Sequence, residues 1–410
     1  MISLFINNTS IRPEFVSYCN IKIMKLKNIT LILLLFVCYS SAFAQWPILK
    51  SDADSLIKIG ADYIYNVQFN NAEEVFKKVI DKYPENPAGY FLDAMVVWWK
   101  ISTYRNTEAY DKQFLVKIDR VVSVCENLLQ KNSMDISALF FKGGALGYRG
   151  RFYAIRKSWF KAANDGYNGF DILLKCYNVA PNNHDIMLGT GIYNYFAAAL
   201  PEQYPAIKPL IVFAPKGDKS IGKLQLQAAS RQARYANIEA KYILMQIFYD
   251  FEKDAVSALS IAEELNSKYP NNAMFHRYLG RCYVSIWDLE KYEKTWRDIL
   301  LRYMDNQPGY DVSTAREAMY YIGTALMMKS KNELALKYFL KCDEASRKID
   351  TEMSGFMIMA NLKMGKIYDS LGKRELAIKQ YKKVASWKDY QGSVNEANEL
   401  IKKPYNKFGN

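Results

Sequence analysis

The sequence predicts an all-α fold, a right-handed superhelix of stacked antiparallel helical hairpins. Three observations lead to this prediction. One short pattern of glycine, alanine and aromatic residues returns along the chain, as expected of repeated hairpins. Half of the 410 residues are hydrophobic and 14% are aromatic, which is enough for a continuous core. The chain has only 12 prolines and 20 glycines, too few for an all-β protein with many tight turns.

The beginning of the chain predicts an export signal. Residues 1–23 lack any such pattern and are interpreted as an over-long start that precedes the initiator Met24. Residues 24–44 combine a basic start, the apolar run ITLILLLFVCY and an Ala-Phe-Ala cleavage motif, which is the order of a secretory signal peptide. The apolar run is shorter than the roughly 20 residues that a membrane-spanning helix needs. We therefore expect an exported chain, located in the periplasm or associated with the outer membrane.

The first repeated unit lies between Asp54 and Pro87. Antiparallel helices approach each other closely only where glycine or alanine lies at the contact, and proline cannot extend the second helix. Small and aromatic residues are spaced along this unit as such a hairpin requires. They are Gly60, Tyr63, Ala72, Phe76 and Pro84.

Related patterns return in the second half of the chain. The positions that repeat the pattern are Gly280, Gly323, Ala335, Phe339, Gly365, Tyr368, Ala377 and Tyr381. Tyr292 departs from it, because a small residue is expected at this position, and we expect its hairpin to splay. Together the units resemble the tetratricopeptide-repeat (TPR) family in its exported bacterial form. The resemblance implies a TPR-like α-solenoid.

The middle of the chain follows a different pattern. Residues 136–181 predict a longer pair of helices, with turns expected at residues 147–150 and 164–166. A further helix is expected to end at Pro201, because four prolines between residues 201 and 215 exclude a regular helix there.

The segment that contains these prolines resembles a motif of exported bacterial TPR proteins. More faintly, it resembles a eukaryotic TPR family linked to the mitochondrial outer membrane and to lipid metabolism. The residues that carry the resemblance are Gly189, Gly191, Tyr193, Asn194, Pro201, Gly217 and Asp218. Asp218 is also placed to cap the next helix.

These patterns predict the organisation of the chain. We expect an over-long start (1–23), a signal peptide (24–44), N-terminal TPR hairpins (45–135), divergent hairpins (136–237) with a proline-rich insert (201–216), a C-terminal TPR array (238–391) and a basic C-terminal tail or capping segment (392–410).

The charge is positive, with a formal net charge of +13. Residues 361–407 carry 11 Lys or Arg against 5 Asp or Glu. A basic face suits acidic protein, anionic glycan, lipid headgroups or nucleic acid. For an exported chain we expect a protein or peptide partner in the cell envelope and no nucleic acid, with an anionic lipid or membrane surface as a further partner.

Four cysteines follow the expected cleavage site: Cys125, Cys176, Cys282 and Cys342. They are widely spaced and form no C-x-x-C motif, which argues against a zinc site and a dense disulfide framework. We interpret them as small buried hydrophobic residues. One disulfide between two neighbouring helices stays open as an alternative.

No catalytic constellation is recognised in the sequence. The segment GDKSIGK at residues 217–223 has the spacing of a phosphate-binding loop, but Leu224 stands where a magnesium-ligating Ser or Thr is required. His184 and His276 lie in different repeats, without a carboxylate or thiol at metal-ligand spacing. We therefore expect no enzyme, no cofactor and no metal site.

Stacked hairpins form a superhelix whose first helices line a concave face, which suits an extended peptide or a partner helix. Tyrosine and arginine on that face are typical of binding hot spots. The candidate partner-binding residues are Tyr65, Arg277, Arg281, Tyr320 and Lys366.

The function that the sequence favours is an exported scaffold or adaptor for protein–protein interaction in the periplasm or cell envelope. Two alternatives stay open. One is peripheral membrane or lipid association through the proline-rich insert and the basic end. The other is a carbohydrate-active enzyme with a helical-toroid fold, which needs carboxylates on loops at one end.

Overall fold

Helical hairpins build the part of the chain that the computed structural model describes, which is residues 51–211 and 214–406. The expected over-long start and signal peptide lie outside the described residues. The described residues belong to one unit. No strand occurs among the described residues, and none of their helices is both long and apolar enough to cross a membrane.

Seventeen α-helices follow one another along the described residues. The first eight are α1 Ser51–Tyr65, α2 Phe69–Lys82, α3 Pro87–Thr103, α4 Asp111–Lys131, α5 Ile136–Ile155, α6 Trp159–Val179, α7 His184–Gln203 and α8 Lys219–Gln232. The next nine are α9 Asn237–Gln246, α10 Ala255–Lys268, α11 Ala273–Ser285, α12 Leu289–Met304, α13 Val312–Met328, α14 Asn332–Ile349, α15 Gly355–Ser370, α16 Arg374–Ala385 and α17 Ser393–Lys402. A 3-10 helix, Pro205–Ile211, follows α7, and a π-helical turn, Ile247–Phe251, continues α9.

Each helix packs against the next, so α1 to α16 form eight hairpins in the described part of the chain, with α17 covering the last one. The first helices of neighbouring hairpins also contact one another, for example α1 with α3, α3 with α5 and α13 with α15. These first helices therefore lie on the inner face of the array. The described residues form an all-α superhelical repeat fold, as the sequence predicted.

A glycine and an aromatic ring mark the crossing of the two helices in four hairpins. In each pair the aromatic residue follows the glycine by 16 positions, and a Cβ atom on the glycine would lie 3.0 Å or less from the ring. Any larger residue would push the helices apart, because interiors are packed too densely to absorb it. The pairs are Gly60–Phe76, Gly280–Trp296, Gly323–Phe339 and Gly365–Tyr381.

The hairpin that contains Tyr292 does not splay at its crossing, so that expectation is wrong. Gly280 still meets the ring of Trp296 there. Tyr292 is only 1% exposed, and its hydroxyl donates a hydrogen bond of 2.7 Å to the main-chain carbonyl of Tyr321 on α13. The bulky side chain therefore lies between two hairpins and links them.

The turn inside six hairpins holds one residue in the left-handed region of backbone space. In five of these turns the following amide donates to the carbonyl five residues earlier, which satisfies an orphan carbonyl at the helix end. Glycine is the residue that this conformation favours. The six residues, of which only the last is glycine, are Val67, Lys157, Lys253, Trp287, Ser330 and Gly372.

The turns expected at residues 147–150 and 164–166 are wrong, because α5 and α6 run through both segments. Of the glycines in these segments, Gly150 lies at the contact of the two helices, because a Cβ atom on it would lie 3.1 Å from the carbonyl oxygen of Ala162, whereas a Cβ atom on Gly147 or Gly166 would meet nothing within 4 Å. Gly143 and Gly169 lie outside these segments and also serve close packing. A Cβ atom on Gly169 would lie 2.9 Å from the carbonyl oxygen of Gly143, so side chains at these positions would separate α5 from α6.

The helix that was expected to end at Pro201 ends two residues later, because α7 continues through Pro201 to Gln203. Pro201 cannot donate a hydrogen bond to the carbonyl four residues earlier, and α7 ends two residues after it. Asp218 accepts hydrogen bonds from the amides of Ser220 and Ile221 and thereby caps α8. Gly222 packs directly on the backbone of Tyr195, which gives the phosphate-loop-like glycine a packing role.

All four cysteines among the described residues are buried and free. Burial raises the pKa of each thiol to about 12. They are small core residues, and the alternative of a disulfide between two helices is not realised in the described part of the chain.

Candidate partner-binding face

The inner face divides into two regions with different surroundings. Side chains of α1, α3 and α5 contact side chains of α9, of α11 and of the segment between α10 and α11, and we call this contact the closure. The inner sides of α11, α13 and α15 form the second region, which we call the basic inner face.

An aromatic cluster fills the closure. The ring of Tyr65 at the end of α1 lies 5.2 Å from Trp99 and 5.3 Å from Tyr269, measured between ring centroids. Trp99 in turn lies 5.1 Å from Tyr242 and 5.9 Å from Phe275. Each aromatic pair adds about 0.5–1.5 kcal/mol beyond the burial of its surface. Packing of this kind occupies the space in which an open groove was expected over the first hairpins.

Hydrogen bonds join the two sides of the closure across about 200 residues of chain. Asp62 accepts from the hydroxyl of Tyr269 at 2.7 Å, and the side-chain amide of Asn272 donates to the carbonyl of Tyr65 at 2.9 Å. The amide of Gly309 donates to the hydroxyl of Tyr104 at 2.8 Å. The first hairpins are thus bonded directly to the fifth, sixth and seventh.

The edge of the closure carries an ionic contact. Asp54 accepts hydrogen bonds from the guanidinium of Arg234 at 2.8 Å and from the hydroxyl of Tyr235 at 2.6 Å. The bond from Arg234 is the main cause that holds the pKa of Asp54 well below its usual range. The carboxylate therefore stays ionised down to strongly acidic pH.

A buried carboxylate lies where α5 meets α9. Glu239 is 4% exposed, and the guanidinium of Arg151 lies 3.4 Å from it. Burial raises the pKa of Glu239, although the nearby Arg151 lowers it. Arg151 also lies over the rings of Trp98 and Tyr148, at 4.8 and 5.3 Å from their centroids. Such cation–π contacts favour a fixed, partly desolvated arginine.

Two arginines on α11 share one buried carboxylate on α13. Glu317 has no exposed surface, and it lies 2.6 Å from Arg277 and 2.5 Å from Arg281. Burial acts to raise the pKa of Glu317, but the two guanidiniums outweigh it and lower the pKa to about 2. One negative charge between two positive ones leaves this part of the inner face with a surplus of positive charge.

Lys363 on α15 extends the positive region. Its ammonium lies 5.8 Å from the centroid of the Tyr320 ring, and it makes no ion pair within the described residues. Burial is the main cause that lowers the pKa of Lys363 to about 8; the neighbouring Lys366 adds to it, and the carboxylate of Glu396, which pairs with Lys366, opposes it. An amine of this kind gains from an acidic group that neutralises it.

The sequence-predicted partner residues fall into both regions. Tyr65 is 7% exposed inside the closure. Arg277 and Arg281 belong to the basic inner face but hold Glu317. Tyr320 packs against Phe356 in the same face, and Lys366 pairs with Glu396 and lies over the ring of Tyr405. That these five residues contact a partner stays a prediction.

Sequence reasoning missed Lys363, Glu317 and Trp99. Lys363 is three positions before Lys366 on the same helix, and this spacing could have signalled a shared face. Trp99 meets its partners across the closure, and no local pattern in the sequence indicates a contact of that range.

A separate open groove of about 880 Å³ lies between α10, α11 and α12. His276 forms part of its wall, with Nδ1 3.1 Å from the hydroxyl of Tyr310 and Nε2 3.6 Å from Asp298. Burial lowers the pKa of His276 to about 4, against the opposing charge of Asp298. No group of three or more metal-ligating side chains occurs in the part of the chain that is described.

Comparisons with known proteins identify similar solved structures. No family model and no curated protein sequence matches the chain. One similar structure is a human IFIT1 dimer with PPP-AAAA, at 14% identity and a TM-score of 0.40, covering 78% of this chain and 68% of that one. Another is a human IFIT1 dimer with m7Gppp-AAAA, at 12% identity and a TM-score of 0.38, covering 82% and 68%. At this level the likeness concerns helical-repeat architecture alone.

These structures correct one expectation from the sequence. We expected no nucleic-acid partner, but the similar helical arrays are found with PPP-AAAA and with m7Gppp-AAAA. An architecture that accommodates nucleic acid elsewhere gives no reason to exclude it here, so the exclusion is wrong. The comparison does not assign such a ligand to this chain.

Proposed function

We propose that this chain is an exported, non-catalytic scaffold that binds a protein partner in the periplasm or cell envelope. The basic inner face is its docking surface, and the partner contributes an acidic segment. The signal-peptide pattern of residues 24–44 supports the location. The helical-repeat architecture supports the scaffold role, because stacked hairpins present long continuous surfaces.

The observation that carries the proposal is the unpaired ammonium of Lys363 beside the ring of Tyr320. A half-buried cation without an ion-pair partner has lost part of its hydration, and a carboxylate from a bound segment offsets that cost. The arginines that share Glu317 lie on the same face and add to its positive potential. Half-buried aromatic rings beside these cations supply apolar contact area, which is typical of binding hot spots.

Photo-crosslinking in cells tests this proposal. A benzophenone amino acid replaces Tyr320 in one variant and Lys379 in a second, because Lys379 is an exposed lysine on the outer helix α16. We expect one defined envelope-protein adduct from position 320 and none from position 379. Adding Lys363→Glu to the first variant is expected to reduce the adduct at least tenfold, whereas adding Lys337→Glu on α14 leaves it unchanged.

Charge reversal at Arg277 and Arg281 would be a poor test. It would surround the buried Glu317 with further carboxylates and unfold the face. Equal adducts from positions 320 and 379, or an adduct that ignores Lys363→Glu, would refute the proposal. A nuclease-sensitive adduct in place of a protein would also overturn it and assign the face to nucleic acid.

A further inference from the structure

An exposed aromatic cluster lies at one end of the third and fourth hairpins. Phe160 in the first turn of α6 is 75% exposed, and Tyr204 just after α7 is 45% exposed. Trp159 is half-buried, and its ring lies 6.1 Å from that of Tyr204, which joins the two hairpins at this end. Exposed rings of this size cost free energy in water, so a cluster of them indicates a contact surface.

Lysines surround this cluster. Lys157 lies in the left-handed turn just before α6, Lys161 lies one residue after Phe160, and Lys208 lies on the 3-10 helix that packs against α6. All three are exposed and make no ion pair within the described residues, although the ammonium of Lys161 lies 5.4 Å from the centroid of the Tyr153 ring. Lys216 is exposed in the same way and follows the 3-10 helix.

Carboxylates near the cluster are already engaged. Glu202 at the end of α7 pairs with Lys219, and Asp218 caps α8. The surface defined by Lys157, Trp159, Phe160, Lys161, Tyr204, Lys208 and Lys216 is therefore both aromatic and strongly positive. We call it the aromatic–lysine tip.

We infer that the aromatic–lysine tip is a docking surface for an anionic membrane. Tryptophan and tyrosine favour the boundary between headgroups and acyl chains, and phenylalanine inserts slightly deeper. Each lysine near an anionic bilayer strengthens partitioning on the order of fivefold. Peripheral attachment to a membrane needs aromatic side chains and positive charge on the same surface, and the tip has both.

The geometry of the tip suits a flat partner. Phe160 begins an outer helix, and Tyr204 and Lys208 lie on a short connecting segment, so the three project from one end of neighbouring hairpins. A membrane surface can meet all of them at once without entering the inner face. The tip belongs to the third and fourth hairpins, whereas Lys363 belongs to the eighth.

Vesicle co-sedimentation of the full chain tests the inference. The probes are vesicles of phosphatidylcholine alone and vesicles in which about a third of the lipid is phosphatidylglycerol. We expect binding to the anionic vesicles only, weakened at high salt because charge contributes. Phe160→Ser and the double variant Lys157→Glu/Lys208→Glu are each expected to reduce the partition coefficient at least tenfold.

Matched controls carry the same chemical changes elsewhere. Trp287→Ser removes an aromatic side chain that is 69% exposed at the turn of another hairpin. Lys337→Glu/Lys379→Glu reverses two exposed lysines of outer helices. We expect both controls to bind like the unmodified chain, and circular dichroism establishes that every variant is folded.

Four outcomes would overturn the inference. They are equal binding to both vesicle types, no vesicle binding, equal loss in the controls, and displacement by free glycerol phosphate, which would reduce the tip to a phosphate site. An oligoadenylate that binds through the tip lysines while vesicles do not would assign it to nucleic acid. Lys363→Glu is expected to leave vesicle binding intact, so this test and the test of the scaffold role fail independently.

Discussion

The carboxylate of Asp62 accepts a hydrogen bond from the hydroxyl of Tyr269 at 2.7 Å, although 207 residues separate them in the chain. Asp62 lies on α1, and Tyr269 follows α10. Burial, reinforced by Asp62, raises the pKa of Tyr269, so its hydroxyl stays protonated and remains a donor. This bond belongs to the contact that holds the first hairpin against the fifth and sixth.

The first prediction concerns the strength of that contact. A double-mutant cycle of Asp62→Ala and Tyr269→Phe is expected to give a coupling of about 1–2 kcal/mol in urea unfolding, as for a partly buried hydrogen bond to a charged group. In Tyr269→Phe, amide exchange in α1 is expected to accelerate. The control Tyr283→Phe removes a local bond of 2.8 Å to Glu263 and should leave α1 unaffected. Unchanged exchange in α1 of Tyr269→Phe would contradict a closure held by this bond.

The second prediction concerns the shared carboxylate on α13. Glu317→Gln leaves two guanidiniums without their common anion, and removing one member of a buried ionic network costs about 3–5 kcal/mol. Because the pKa of Glu317 is about 2 in the folded chain, its contribution is present above the usual glutamate value of 4.5 and disappears as pH falls towards 2. Chemical unfolding at pH 7 and at pH 3 measures both effects.

Glu344 provides the matched control for this substitution. It is exposed, and among the described residues it pairs only with Lys341 and Lys348 at the surface. We expect Glu344→Gln to leave the midpoint of urea unfolding unchanged at pH 7. Equal shifts of the urea midpoint in the two variants would show that the buried Glu317 contributes no more to stability than the exposed Glu344.

The third prediction is a dependence of stability on pH through His276. Its pKa is about 4 in the folded chain and about 6.5 when free, so the unfolded chain binds the proton first as pH falls. The free energy of unfolding should therefore decrease by up to about 3 kcal/mol between pH 6.5 and pH 4. In His276→Asn this part of the decrease should vanish. Identical pH profiles of the two chains would exclude His276 as the source.

The fourth prediction concerns the left-handed turns. Trp287 has a φ of 61° and its side chain is 69% exposed, so little packing offsets the backbone strain. Trp287→Gly should stabilise the chain by about 0.5–1 kcal/mol, because strain relief exceeds the added flexibility of the unfolded state. The opposite change, Gly372→Ala, should destabilise it by about 1–2 kcal/mol. Thermal unfolding measures both variants, and a destabilised Trp287→Gly would refute the argument.

Local spacing predicted the repeated hairpins because their decisive contacts are local. Gly60 and Phe76 are 16 residues apart, and the same distance recurs between Gly365 and Tyr381. Prediction from local sequence failed where glycine can indicate either a turn or a position inside a helix. Gly147, Gly150 and Gly166 indicate turns by composition, but all three lie inside α5 or α6, and Gly150 lies where the partner helix needs the space.

The closure and the binding face could not be predicted from the sequence in the same way. Tyr65 looks like an outward residue of a first helix, yet it is buried against Tyr269 and Phe275 from distant hairpins. Superhelical curvature decides which inner faces meet, and curvature accumulates from small rotations at every repeat. A single sequence does not specify those rotations. Lys363 was missed for a related reason, since its unpaired state depends on which carboxylates the neighbouring hairpins supply.

The closure imposes an order on assembly. In a growing chain, Tyr65 is synthesised more than two hundred residues before Asn272. The side-chain amide of Asn272 later donates a hydrogen bond to the carbonyl of Tyr65. During that interval the aromatic side chains at the end of α1 have no lasting cover, and only local hairpin contacts are available to them. Final docking of the amino-terminal hairpin must therefore wait for the sixth hairpin, which makes the closure a late contact of high sequence separation.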